Sequence, residues 1–231
     1  MAGQDDVRQT TVRQDPDTAR GLRGLADSRS SVRLRAALAA GTAPDPRYVD
    51  TLVERSAVEP EFFVRDMLTW ALTRHPVSMT VPRLLDEVRS GSARARSQAL
   101  HTLSKIGDRT AWPAITRALL TDPDDDVARS AWRAAVVLVP EGQEAALAGV
   151  LATQLGRGGR ETQLSLGRAM AALGEASVPV LLAVPPTAAP GIRAHALAVR
   201  QLLRDPDTGF AYAIEEAKRV VALGTQDADG R

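Results

Sequence analysis

The feature that most constrains this chain is a repeat. An apolar residue, an Arg or other polar residue, two further variable positions and then small apolar residues recur six times. The copies start at Val32, Val64, Ala95, Val127, Thr162 and Ile192, at intervals of 32, 31, 32, 35 and 30 residues. Segments 95–108 and 162–175 align without a gap and close alike, on Ile106-Gly107-Asp108 and Leu173-Gly174-Glu175. Across the copies the apolar residues fall mostly at the start and at plus 4, plus 8 and plus 11, one face of a 3.6-residue helix. Copy six breaks the pattern at Arg200.

A second, more variable apolar run precedes each copy. Three of these runs carry a proline near their start, Pro82, Pro113 and Pro179, spaced by one and two repeat periods. Proline lacks an N–H that the first helical turn leaves unpaired anyway, so these prolines are read as helix starts. Turn and N-cap residues, such as Asp122-Pro123-Asp124-Asp125-Asp126 before Val127, separate the paired runs. The unit is helix A, a short turn and helix B.

Two helices of about a dozen residues cannot bury both apolar faces alone, so such units stack side by side. The predicted fold is all-α: an α-solenoid of about six antiparallel helix pairs forming a single domain over 18–223. A terminal helix over 212–223 is expected to close the apolar face of the last repeat, with loose tails at 1–17 and 224–231. Composition agrees. Aromatics are 3%, Ala and Leu are abundant, and with no cysteine the chain has neither disulfides nor thiolate metal sites.

The phrases Val32-Arg33, Val64-Arg65 and Ile192-Arg193, the stretch 99–107 and the helix-A prolines resemble HEAT repeats of the short, bacterial, PBS-lyase-like kind. The resemblance covers about 19–203. Copies five and six depart from it with Thr162-Gln163, the insert Gly156-Arg157-Gly158-Gly159-Arg160, Pro185-Pro186 and Pro190. It implies that B helices line the concave surface and A helices the other.

Charge divides along the same layers. The formal net charge is only +1, yet the six B windows hold a surplus of about ten positive charges, with the acids in turns and tails. Arg33, Arg65, Arg96 and Arg193 lie beside the buried stripe and are expected to bond neighbouring turns. At 100° per residue, plus 2 and plus 6 point away from that stripe. Plus 6 reads Leu38, Trp70, His101, Arg133, Arg168 and Ala198; plus 2 reads Leu34, Asp66, Ser97, Arg129, Leu164 and Ala194. The candidate partner-binding residues are therefore Trp70, His101, Arg133 and Arg168, flanked by Asp66 and Arg129. An aromatic among guanidinium groups is a composition enriched at binding hot spots, and Arg forks suit anionic ligands.

Other chemistry has less support. His75, His101 and His195 show no metal-ligand spacing, so no metal or cofactor is expected. Asp66 and His101, across one repeat, form either an acid/base pair or a polar contact in a groove. No Gly-x-Ser-x-Gly elbow or Walker loop occurs, the Asp122–Asp126 run lacks EF-hand spacing, and the Gly156–Arg160 insert lacks the Lys-Ser/Thr of a phosphate loop. Two enzyme families resemble this repeat. HEAT-like alkylpurine DNA glycosylases keep tryptophans and a catalytic Asp on a basic concave face. Here Trp112 falls on an A helix, Trp132 leans toward the core, and no Trp-Asp motif transfers. Bilin lyases share the short repeat, but nothing matches chromophore handling. The polar start and the shortness of the apolar runs predict a cytoplasmic protein with no membrane partner. The expected function is a non-catalytic binding scaffold that captures a partner protein or acidic peptide on the concave B-helix surface. The alternative is a nucleic-acid-binding module using the same basic layer.

Overall fold

Six helix pairs follow one another in the order the repeat demands. The computed structural model describes residues 16–205 and 209–226, and among these there are helices and no strand. The pairs are α1 (Pro16–Leu25) with α2 (Ser30–Thr42), α3 (Tyr48–Val58) with α4 (Phe62–Thr73), and α5 (Val77–Ser90) with α6 (Ala93–Ile106). A 3-10 turn (Arg109–Ala114) and the short α7 (Arg117–Leu120) precede α8 (Asp125–Leu138), and α9 (Glu144–Ala152) precedes α10 (Arg160–Ala172). A second 3-10 turn (Gly174–Ser177) leads into α11 (Val178–Leu182), which pairs with α12 (Pro190–Arg204); α13 (Phe210–Gln226) follows. The predicted tails lie mostly outside the described residues, although α1 already begins at Pro16 and α13 runs to Gln226.

Each B helix packs against the next, from α2 through α4, α6, α8 and α10 to α12. The A elements form a second layer behind them, giving the two-layer α-solenoid. The repeat explains the packing. In α8 the start, plus 4, plus 8 and plus 11 residues, Val127, Ala131, Ala135 and Leu138, are all fully buried. The intervening small residues Ala128 and Ala134 are buried as well, which lets the helices lie close. Trp132 is buried too, its indole N–H donating to the Leu120 carbonyl at 2.8 Å. Leu68, Leu72, Leu100 and Leu103 continue this interior, each fully buried side chain stabilising by about 1.5–3 kcal/mol relative to exposure. No helix among the described residues is long and apolar enough to cross a membrane.

The turns are built by their acids. Asp124 caps α8, accepting from the Asp126 and Val127 amides at 2.9 and 3.1 Å. Asp125 takes Arg157 at 2.9 Å and the Thr162 hydroxyl at 3.1 Å, and Asp122 takes Arg96 at 3.2 Å. The run of aspartates is thus a junction between repeats three, four and five. The glycine insert is committed in the same way, since the Gly156 amide donates to His195 Nδ1 at 3.1 Å. Arg33 donates to the carbonyls six and five residues before it, Asp27 and Ser28, and Arg65 does the same to Glu59 and Pro60. Arg193 departs from this habit: its Nε is buried and finds no hydrogen-bond partner among the described residues.

Three expectations are corrected. Of Pro82, Pro113 and Pro179, only Pro179 opens a helix. Helix α5 starts at Val77 behind Pro76, so Pro82 lies inside it. Both Pro82 and Ser78 are exposed there, and water can satisfy the carbonyl that proline leaves without a donor. Pro113 lies in the 3-10 turn, and α7 begins only at Arg117. The outward positions of repeat six are not outward: Ala194 and Ala198 are buried, because Ala213, Ile214, Ala217 and Val221 of α13 pack on them. The terminal helix therefore packs along α12 and closes the end of the stack.

Candidate functional site

The open face of the B layer follows from helix geometry. Positions plus 2 and plus 6 of each B helix turn away from the buried stripe, and stacking sets the equivalent side chains side by side. Two adjoining grooves result. The first, about 610 Å³, runs across α4, α6 and α8, with Phe62, Asp66, Ser97, His101 and Arg133 among its lining. The second, about 330 Å³, runs across α6, α8 and α10 and contains Arg129, Arg133 and Arg168. Arg133 belongs to both. Five of the six expected residues are thus brought together, with Arg133 as the wall they share.

Trp70 stands apart from both grooves. Its ring lies over Gly41 of α2, where any Cβ would collide with it, and it stays 38% exposed. It extends the strip toward Leu38, itself exposed, rather than joining the arginines.

The first groove is of mixed charge. His101 is half-buried, its Nδ1 has no hydrogen-bond partner among the described residues, and its pKa is pulled down to about 4 by desolvation and by the charges of Arg133 and Lys105, against the opposing pull of Asp66. It is therefore neutral at pH 7. Asp66 lines the same groove, but no hydrogen bond joins it to His101 among the described residues. The side chains instead offer a neutral ring, a carboxylate and a guanidinium to whatever lies across them.

The second groove has a different make-up. Val136, Val137, Leu164 and Ala169 form an apolar floor, and Lys105, Arg129, Arg133 and Arg168 surround it. Arg133 bonds the Ser130 hydroxyl at 3.0 Å and no carboxylate among the described residues. Desolvation, then the neighbouring Arg129, pulls its pKa down while Asp126 opposes them. Arg129 lies 3.7 Å from Asp126 and 3.9 Å from Glu161, both long contacts. A carboxylate arriving here would meet under-used guanidinium donors, and charge-assisted hydrogen bonds of this kind are about twice as strong as neutral ones. The basic layer inferred from sequence is smaller than its count, because Arg33, Arg65 and Arg96 are spent on turns.

Some residues escaped the sequence reading. Phe62 and Phe63, 65% and 76% exposed, meet edge-to-face at 5.6 Å at the start of α4, and Phe62 lines the first groove. Two adjacent aromatics just ahead of a repeat start were the available signal. Val136, at plus 9, also faces the inner side by the 100° rule, and following the strip one turn beyond plus 6 finds it. No group of three or more His, Asp or Glu residues is placed to hold a metal among the described residues.

Residues 59–136 match the family model described as HEAT repeats. The match runs from the turn before α4 nearly to the end of α8, the three B helices that carry the first groove. No curated protein matches the chain.

Proposed function

We propose that this HEAT-repeat protein is a non-catalytic scaffold whose inner B-helix surface captures a partner protein through an acidic segment. HEAT repeats commonly serve as protein-interaction scaffolds. One observation carries the finer reading: Arg133 and Arg168 stand over an apolar floor of Val136, Val137 and Leu164, with no carboxylate of this chain bound to either among the described residues. A preformed surface of this kind needs little ordering on binding. Nucleic acid is the weaker reading of the same cations. Asp66, Asp126 and Glu161 interrupt the basic strip, and an apolar floor has nothing to offer a phosphate backbone.

The test is affinity capture from native cell extract with wild-type protein and with Arg133→Glu/Arg168→Glu, assaying protein and nucleic acid in the same eluate. The reading expects a protein partner retained by wild type and lost by the double variant. It also expects affinity to fall only modestly between low and physiological salt. Nucleic acid in the eluate with a steep salt dependence would overturn it. So would undiminished capture by the variant.

A further inference from the structure

Repeat six breaks the rule that buries its predecessors. Position plus 8 holds Ala40, Leu72, Leu103, Ala135 and Met170 in the first five repeats, all buried, and Arg200 in the sixth, which is only half-buried. Two turns earlier on the same face of α12, Arg193 stands at plus 1, where Arg33, Arg65 and Arg96 reach turn carbonyls or an acid. Arg193 does neither. Its Nε is buried without a hydrogen-bond partner, and neither arginine meets a carboxylate among the described residues. The A layer is thin at the same place. Helix α11 has five residues against eleven in α3 and fourteen in α5, and the chain leaves it toward Pro185-Pro186. Repeat four has a comparably short α7, but there Trp132 at plus 5 is buried and donates to the Leu120 carbonyl of that helix. Repeat six puts the smaller Leu197 at plus 5, only half-buried. The space left over is a pocket of about 230 Å³ between α11, α12 and α13. Leu182, Val184, Ala196, Leu197 and Val220 supply apolar wall, Arg193 and Arg200 supply charge, and no acidic side chain lines it among the described residues. It shares no residue with the two grooves of the B layer.

We infer that this pocket binds a small aliphatic carboxylate, with its chain against the apolar wall and its anionic head on Arg193 and Arg200. A guanidinium set among apolar side chains without a partner is costly, and an anion relieves that cost. A carboxylate matches the guanidinium fork through charge-assisted hydrogen bonds. The apolar wall supplies the second criterion. An inorganic anion would satisfy the arginines but leave Leu182 and Val220, both exposed, against water. A neutral hydrocarbon would cover those side chains and strand the charge. An aliphatic carboxylate does both. The volume lies below the range of about 300–1,000 Å³ that suits drug-sized ligands, so the pocket takes one short-chain molecule rather than a strip of a folded partner.

The experiment titrates the full chain, labelled at its Leu and Val methyl groups, with hexanoate, hexan-1-ol, hexylammonium and N-acetyl-leucine, followed by NMR. Hexanoate is expected to saturate and to shift the methyl resonances of Leu182, Leu197 and Val220. Hexan-1-ol and hexylammonium are expected to bind at least tenfold more weakly, since neither offers an anion to the arginines. Arg193→Gln/Arg200→Leu is expected to lose at least tenfold for hexanoate. Its melting temperature should be unchanged or raised, because Arg200→Leu restores the apolar residue that the other five repeats carry at plus 8. No saturation by hexanoate would overturn the inference, as would equal binding of hexan-1-ol or undiminished binding by the folded double variant. Shifts at Val136, Val137 and Leu164 alone would place the carboxylate in the second groove and overturn the pocket assignment. Tighter binding of N-acetyl-leucine than of hexanoate would mean a peptide C-terminus and overturn the assignment to a free small molecule.

Discussion

Arg33 of α2 and Glu59 of the α3–α4 turn are joined by two parallel hydrogen bonds of 2.7 Å, with the Glu59 side chain fully buried. A weaker counterpart recurs one repeat pair later, where Arg96 makes a single 3.2 Å contact with Asp122 across an identical separation of 26 residues. Each acid also accepts an amide two residues on, from Glu61 and Asp124 respectively, so the guanidinium pins the turn that launches the next B helix. Burial alone would raise the Glu59 pKa, but Arg33, the Glu61 amide and Arg55 together hold it at about 2.

Replacing Arg33 by Met should therefore destabilise the fold by about 3 kcal/mol, the lower end of the range for leaving one buried charge behind, because Arg55 keeps a 2.8 Å bond to Glu59. The folded-state pKa lies below the ordinary value of 4.5, so this contribution is complete above pH 4.5 and is lost as pH falls toward 2. Urea unfolding at pH 7 and pH 3 should show the gap between wild type and variant narrowing at the lower pH. Arg33→Met/Glu59→Leu should recover much of the loss, since an apolar pair of similar volume replaces a desolvated ion pair at little cost.

Glycine positions give a paired test of the packing. At Gly41 of α2 a Cβ would come within 2.9 Å of the Ala71 Cα and would strike the Trp70 ring. At Gly149 of α9 nothing lies within 4 Å. Gly149→Ala should stabilise by up to about 1 kcal/mol through helix propensity. Gly41→Ala should destabilise by about 1–3 kcal/mol through overpacking and shift the fluorine resonance of 5-fluorotryptophan at Trp70. Equal effects on thermal unfolding would contradict the close α2–α4 approach.

His101 reports on the first groove. Its imidazole should titrate near pH 4 by NMR, well below the ordinary 6.5, because the folded protein desolvates the charged form beside Arg133 and Lys105. Arg133→Ala removes one of those charges and should raise the midpoint. A wild-type midpoint near 6.5 would mean that His101 stands free in solvent.

The repeat made the architecture legible because burial follows a helical period that residue spacing records directly. Val127, Ala131, Ala135 and Leu138 were identifiable by counting alone. The prolines were not, since Pro82 is tolerated inside α5 for a reason, solvent at Ser78, that no spacing encodes. The inner strip was half legible. Angle arithmetic found His101, Arg129, Arg133 and Arg168, but it treats each helix as if nothing covered it, so it exposed Ala194 and Ala198 where α13 lies. It also placed Trp70 with the arginines, whereas the small side at Gly41 lets the ring settle toward repeat one. Formal charge overstated the basic surface for a related reason: whether an arginine is free depends on a turn carbonyl five or six residues back or an acid 26 residues on.

The central claim, that a protein partner sits on the inner surface, is tested most directly by position-specific cross-linking. A photo-reactive phenylalanine at Arg168 or at Phe62 faces the proposed partner, whereas the same residue at Arg89 or Arg117, exposed on the A layer, does not. Irradiation in living cells should give a discrete protein adduct from the inner positions and none from the outer ones. Adducts from Arg89 or Arg117 alone, or nucleic-acid adducts from the inner positions, would contradict it.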